Sequence, residues 1–229
     1  MARGVLHVED VPLPAIAAAA GTPTYVYSGA HIGARHDELA RACASHPTLL
    51  CYAVKANSSQ AVLRTLARRG AGADIVSGGE LTRAIAAGIP AGKIVFSGVG
   101  KLDVEIDAAI SAGLRAINVE SAEELLRVAT RARALGRPAK SVAVALRVNP
   151  DIDPDTHPYL ATGLRESKFG VAMAEAEALA LTAAGTPELQ LVGLACHIGS
   201  QIAEAAPFLA AFERLRGLVL RLRAQGVVL

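Results

Sequence analysis

The chain has 229 residues, a hydrophobic fraction of 52% and a formal net charge of +2. This length suits one large α/β domain or two small ones, and so small a charge argues against nucleic acid or an anionic membrane as the main partner. No apolar run is long enough to span a bilayer, and residues 15–20 lack the basic flank of a signal peptide. Three widely spaced cysteines predict reduced thiols in a cytoplasm, and no metal-ligand spacing occurs.

Predicted strands and helices alternate from the start of the chain. In the first half, strands are expected at 24–27, 50–55, 73–77 and 93–97. Helices follow these strands and run to Cys43, Gly70, Gly88 and Ala112. Ser28 is expected to cap the first of these helices, and Ser58 or Ser59 the second. In the second half, strands are expected at 116–119, 141–148 and 189–198, and a further strand is expected to begin at 227–229. One helix is expected after the capping box Ser121–Glu124, and two more at 174–184 and 206–224. The polar loop 149–168 is long enough to be functional.

This alternation predicts an α/β fold whose parallel strands are joined by helical crossovers. Six complete strand–helix units suit a (β/α)8-type barrel better than a short open sheet, and such a barrel carries its chemistry at the carboxyl ends of its strands. We therefore expect a barrel that is truncated after about six units, with open edges and an incompletely filled interior.

The stretch 50–57 reads as a buried strand whose last residue is a lysine, Lys55. Burial at the rim of a core favours a neutral amine over an ammonium, and a neutral amine can attack a carbonyl group. The pattern leaves open a second interpretation, in which Lys55 is a surface residue that extends past the strand end.

Three predicted strands place a large polar residue above small residues on one face. Lys55, Arg147 and His197 each follow alanine, glycine or cysteine at the two preceding alternate positions. If these faces point inward, the three polar side chains converge on one opening with room for a flat ligand. Chance alternation in an alanine-rich chain is the alternative.

The ends of two predicted strands suggest a ligand site. At the end of the predicted strand 189–198, His197 could stack on an aromatic ring, Gly199 lets the backbone approach an anion, and Ser200 could donate a hydrogen bond to a phosphate. A buried histidine bonded to a carbonyl is the alternative. Asp74 ends another strand and could pair with Lys55 or bind a cofactor, or it could be a helix cap or a solvated loop acid.

Six motifs, in this order, carry a resemblance to a known family. They are YAVKAN (52–57), GADIVSGGEL (72–81), INVES (117–121), RVNP (147–150), SKFG (167–170) and CHIGSQ (196–201). The chain resembles the pyridoxal 5'-phosphate (PLP) enzymes of the alanine-racemase-like and ornithine-decarboxylase-like family, and within it the branch that acts on diaminopimelate. The resemblance runs along nearly the whole chain from residue 24.

The resemblance implies a role for each matching residue. Lys55 would hold PLP covalently, His197 would stack on the pyridine ring and Ser200 would contact the phosphate. Asp74 and Arg147 would lie near the ring and its hydroxyl. The reaction it implies is decarboxylation of meso-2,6-diaminopimelate to L-lysine, a small-molecule carbon–carbon lyase reaction, in a cytoplasmic homodimer.

Members of this family contain further parts that the 229 residues do not. These are a glycine-triplet phosphate loop, a Glu-Pro-Gly-Arg stretch and a β-sandwich domain with a catalytic cysteine. The resemblance therefore implies that residues 1–30 form an N-terminal segment with a strand that would join the absent sandwich, and residues 31–229 an incomplete PLP-binding barrel. We expect an inactive or incomplete fragment. The alternatives are a decarboxylase of another basic amino acid and a non-catalytic product of a truncated gene.

Overall fold

A computed structural model describes residues 4–152 and 169–229. The strands are β1 (His7–Val8), β2 (Val11–Pro12), β3 (Cys51–Ala53), β4 (Gly72–Ile75), β5 (Ile94–Phe96), β6 (Ala116–Val119), β7 (Val142–Asn149), β8 (Val171–Ala172) and β9 (Leu189–Ala195). The helices are α1 (Leu13–Ala20), α2 (Gly29–Ala42), α3 (Gln60–Ala67), α4 (Gly78–Ala86), α5 (Asp103–Ala112), α6 (Ala122–Ala134), α7 (Met173–Gly185) and α8 (Ala206–Ala224). Single 3-10 turns occupy Val54–Ala56 and Ala91–Lys93.

The main sheet is parallel and confirms the predicted α/β class. Its strands lie in the order β3-β4-β5-β6-β7, with β9 beside β7 and the short β8 at the end of β7. A helix connects most neighbouring strands, as parallel pairing requires. Within the described residues, β3 and β9 form the two edges of this sheet. A separate antiparallel pair, β1 and β2, precedes it.

The core lies between this sheet and the helices that cover one side of it. Phe96, Ile94 and Ile117 project from the central strands and are almost fully buried. The apolar face of α3 is also buried, through Val62, Leu63 and Leu66. Removing such side chains from water is the main force that holds helices of this kind on a sheet.

Serine caps fix where the helices α2 and α6 begin, and so fix the loops that precede them. The Ser28 hydroxyl accepts a hydrogen bond from the amide of His31 at 2.9 Å, as the sequence predicted. Ser121 likewise accepts from the Glu124 amide at 3.2 Å. The reciprocal contact of this capping box differs from expectation, because Glu124 accepts from the Glu120 amide at 2.7 Å rather than from Ser121. The loop after β6 is thereby tied to the first turn of α6.

Two predicted strands are wrong. Residues 24–27 and 227–229 have no ladder partner in the described part of the chain. Tyr25 is 90% exposed, so residues 24–27 are not held by core packing. Val227, in contrast, is 8% exposed and packs in the core, although Val228 is 88% exposed, so core packing alone does not make 227–229 a strand. A strand needs a neighbour to satisfy its backbone groups, and local composition does not supply one.

In the described ranges, no helix combines the length and apolarity needed to cross a bilayer. Most of the predicted loop 149–168, including Ser167 and Lys168 of the SKFG motif, lies outside the described residues.

Candidate active site

The carboxyl ends of the parallel strands surround a cavity of about 660 Å³. Lys55 reaches it from the β3 edge of the sheet and His197 from the β9 edge, so the sheet curves around the space between them. The residues that line it are Cys51, Ala53, Lys55, Asp74, Val76, Val95, Ser97, Gly98, Asn118, Arg147, Phe169, Ala195, Cys196, His197 and Ser200. The predicted convergence of Lys55, Arg147 and His197 is therefore present.

Lys55 occupies a different local structure from the one expected. The strand ends at Ala53, and Lys55 lies in the 3-10 turn that follows it. Its neighbour Val54 is fully buried, whereas Lys55 itself is exposed. The expected burial of this amine is wrong, because β3 is an edge strand and the lysine projects from the turn into the open cavity.

Three side chains on neighbouring strands form a hydrogen-bonded row along the cavity wall. The Ser97 hydroxyl donates to Asp74 Oδ1 at 2.5 Å, and Asn118 Nδ2 donates to Ser97 Oγ at 2.8 Å. Asp74 is half-buried, and burial raises the pKa of its carboxyl above the ordinary value. The Ser97 hydrogen bond and the charges of Lys55, Arg147 and His197 oppose that rise.

Arg147 is held in the cavity wall by a buried carboxylate. Its guanidinium donates to Glu120 Oε1 at 2.9 Å, and the same oxygen accepts from the Gly98 amide at 2.9 Å. The side chains of Arg147 and Glu120 are 13% and 2% exposed, so water screens this pair little. The guanidinium also lies over the Phe169 ring, 5.4 Å from its centre. These contacts orient Arg147 without a ligand.

A buried lysine braces the loops behind this wall. Lys101 Nζ donates to Glu124 Oε1 at 2.6 Å and to two carbonyl oxygens, those of Gly98 at 2.6 Å and Asn118 at 2.7 Å. Its side chain is 1% exposed, and all three donor hydrogens have acceptors. Lys101 therefore ties the segment after β5 to β6 and to α6.

His197 and the residues after it close the other side of the cavity. The imidazole is accessible from the cavity but partly desolvated, and this lowers its pKa, as do the positive charges of Arg147 and Lys55. Asp74 and Glu120 oppose that effect. The neutral ring is therefore favoured near pH 7, which suits contact with an uncharged aromatic face.

Two thiols also belong to this cavity. Burial raises the pKa of both Cys51 and Cys196, and the charge of Asp74 adds to the effect on Cys51. Both sulfurs are therefore held as neutral thiols, which are poor nucleophiles. Lys55 remains the amine that opens directly into the cavity.

The sequence-derived site residues fall into two groups. Lys55, Asp74, Arg147, His197 and Ser200 all line the cavity. Gly199 adopts a φ of 145° but lines an adjacent apolar groove instead, so its contact with an anion stays a prediction.

Four other residues were missed as members of the site: Ser97, Asn118, Glu120 and Lys101. Ser97 ends a predicted strand, and Asn118 and Glu120 stand in the INVES motif, so a polar residue at a strand end was the available signal. No comparable signal marks Lys101, because its partners come from three separate parts of the chain.

Comparison with known proteins places the chain in a family. Residues 29–229 match the pyridoxal-binding domain of the pyridoxal-dependent decarboxylases. The diaminopimelate decarboxylase of Pseudomonas aeruginosa is 53% identical over 222 residues, which are 97% of this chain and 53% of that protein. The corresponding protein of Neisseria meningitidis serogroup A is 46% identical over 98% of this chain and 54% of its own length. The chain thus spans about half the length of the curated relatives it matches.

Solved structures share the fold. Diaminopimelate decarboxylase from Helicobacter pylori, complexed with L-lysine, superposes with a TM-score of 0.90 at 39% identity, over 94% of this chain and 54% of that one. The enzyme from M. jannaschii, in co-complex with L-lysine, gives 0.91 at 34% identity, over 99% and 54%. Lysine/ornithine decarboxylase from Vibrio vulnificus gives 0.77 at 22% identity, over 94% and 53%, a likeness of fold alone.

Proposed function

Because this chain belongs to the pyridoxal-dependent decarboxylase family, we propose that its cavity holds PLP and serves the decarboxylation of meso-2,6-diaminopimelate to L-lysine. The observation that carries the proposal is the meeting of Lys55 and His197 in one cavity, although they come from opposite edges of the sheet. A volume of about 660 Å³ is within the usual range for sites that bind small molecules.

The chemistry of the lining fits PLP. Lys55 offers an amine to hold the cofactor covalently, and His197 offers a neutral ring for its aromatic face. Ser200, followed by the loop that contains Gln201, offers a hydroxyl for its phosphate. Glycine and alanine residues of the lining leave room for a planar group. When bound, PLP supplies the electron sink that decarboxylation requires.

The remaining roles belong to the charged residues of the wall. Asp74 and Lys55 face the same cavity, and the charge of Lys55 acts on the pKa of Asp74. The carboxylate is thus placed to stabilise an ammonium at Lys55 Nζ or to accept a proton from it. Arg147, oriented by Glu120, supplies a fixed positive charge for an anionic oxygen.

Sequence similarity favours diaminopimelate over other basic amino acids. Relatives at 44–53% identity carry the name diaminopimelate decarboxylase. The lysine/ornithine enzyme, in contrast, shares 22% identity. For the complete protein we further propose the domain arrangement expected from the sequence, with residues 31–229 as the barrel part, a homodimer, and a cytoplasmic location.

The activity is tested with a chimera, because the matched relatives are about twice as long. Residues 1–229 are joined to the second half of the Pseudomonas aeruginosa relative, and the purified protein is given PLP and meso-diaminopimelate. We expect release of carbon dioxide with formation of L-lysine. Lys55→Ala should abolish the release, whereas Lys140→Ala should leave it unchanged, since exposed Lys140 lies at the amino end of β7.

Two outcomes contradict the proposal. The first is a folded chimera that forms no L-lysine from meso-diaminopimelate. The second is faster carbon dioxide release from L-ornithine or L-lysine, which would assign the chain to the other basic amino acids.

A further inference from the structure

Sheet register brings three polar side chains from neighbouring strands into one row. Asp74 pairs with Val95 across β4 and β5, and Phe96 pairs with Ile117 across β5 and β6. The Ser97 amide continues the ladder by donating to the Ile75 carbonyl at 2.8 Å. Ser97 therefore lies between Asp74 and Asn118, with all three side chains on the cavity face.

The chemistry of the three groups decides which of them donates and which accepts in each hydrogen bond of the row. An amide nitrogen only donates, so Asn118 Nδ2 fills a lone pair of Ser97 Oγ. A hydroxyl has a single hydrogen, and that of Ser97 points to Asp74 Oδ1. Asp74 Oδ1 is consequently an acceptor, and the other carboxylate oxygen can contact a ligand in the cavity.

The far end of the row is anchored in the core. Lys101, which is 1% exposed, donates to the Asn118 carbonyl at 2.7 Å and to the Gly98 carbonyl at 2.6 Å. It holds the backbone on both sides of the Asn118–Ser97 contact. The side chains of Ser97 and Asn118 are therefore more restrained than side chains on the protein surface would be.

We propose that Ser97 and Asn118 are positioning residues that hold Asp74 as a hydrogen-bond acceptor, in a fixed orientation on the cavity wall. The use of Asp74 by a bound cofactor rests on the proposed function; the orientation does not. Charged and titratable groups act on Asp74 from three parts of the cavity wall: Lys55 and Cys51 from the β3 side, Arg147 from β7 and His197 after β9. Burial raises the pKa of Asp74, and the Ser97 hydrogen bond is the largest effect opposing it.

The test is a titration of the Asp74 side-chain carbonyl carbon by NMR in cofactor-free protein. Ser97→Ala should move the Asp74 midpoint upward by about one pH unit, since a hydrogen bond to the charged form is lost. Ser97→Thr keeps the hydroxyl and should restore the original midpoint. Ser141→Ala is the matched control, because the exposed Ser141 hydroxyl donates to the Pro138 carbonyl, at 2.7 Å, before β7 begins and outside the cavity lining.

A second variant tests the direction of the hydrogen bonds, from Asn118 to Ser97 to Asp74, and keeps the side chain at position 118 the same size. In Asn118→Asp the new carboxylate competes for the single Ser97 hydrogen and adds a like charge, so the Asp74 midpoint should again rise. An unchanged midpoint in both Ser97→Ala and Asn118→Asp overturns the inference. That result would leave the proposed function standing, and a failure of the chimera to form L-lysine would leave these midpoints unaffected.

Discussion

The centre and the edges of the sheet contribute to the cavity in different ways. At the centre, Asp74, Ser97 and Asn118 are bonded to one another, and Arg147 is bonded to Glu120. At the edges, Lys55 and His197 lie exposed on the turn after β3 and the loop after β9.

This difference separates two tasks within one cavity. The central groups are oriented by contacts that exist before any ligand binds, which is what a preorganised electrostatic environment requires. The two edge groups have the access that binding and exchange of a cofactor demand. The centre should therefore dominate stability, and the edges should dominate cofactor chemistry.

The largest expected effect comes from the central core. Phe96→Ala should lower the free energy of unfolding by about 3–5 kcal/mol, because Phe96 is fully buried on β5 and its removal leaves a void. Phe212→Ala on α8, where the ring is 65% exposed, should cost less than about 0.5 kcal/mol. Urea unfolding measures both, and equal losses would refute the assignment of the core to the sheet centre.

The buried ion pair should come next. Lys101→Met keeps the apolar stem but leaves Glu124, which is 13% exposed, without its cation, and should cost about 3 kcal/mol. Arg127→Ala breaks the half-exposed pair with Asp103 and should cost at most about 1 kcal/mol. If the two variants unfold at the same urea concentration, Lys101 does not brace the central loops.

Helix caps allow a smaller comparison of centre and edge. Ser121→Ala, at the start of α6, removes an observed cap and should cost about 1 kcal/mol. Ser59 occupies the same position at α3 after the edge strand, but its side chain makes no cap hydrogen bond. Ser59→Ala should therefore be nearly neutral in thermal unfolding, and a loss matching that of Ser121→Ala would contradict the difference.

The smallest predicted effect depends on pH. The pKa of Asp74 is raised in the folded state, so its stabilising contribution is complete below the ordinary value of 3.8 and is lost as pH rises through the folded pKa. Asp74→Asn should thus stabilise the protein more at pH 7 than at pH 3. Chemical unfolding of both proteins across this range measures the difference, and a gain that grows toward acid would show that the pKa is instead lowered.

Local sequence signals predicted the elements whose ends are fixed locally. The helix α5 has the predicted bounds because an acidic first turn starts it and Gly113, with a φ of 68°, stops it. The helix α8 also has the predicted bounds, but its apolar spacing does not mark its buried face, because Leu209 and Phe212 are 66% and 65% exposed. Segment 24–27 has the composition of a strand but pairs with no strand among residues 4–152 and 169–229, and composition does not reveal whether a neighbour is present.

The site was predictable only in part, for the same reason. Lys55 and His197 were found because each follows small residues in a strand-like pattern. The row from Asn118 to Asp74 depends on the register of three strands, which a single strand does not encode. Lys101 looks like an ordinary loop lysine until Glu124 and two carbonyls are brought around it.

The central claim is that Lys55 and His197 hold one PLP molecule between the edges of the sheet. The most direct measurement is the crystal structure of the protein after incubation with PLP and reduction with borohydride, with peptide mass mapping of the same sample. The account predicts PLP on Lys55 with its ring against His197. A label on any other lysine, or a ring bound away from His197, would contradict it.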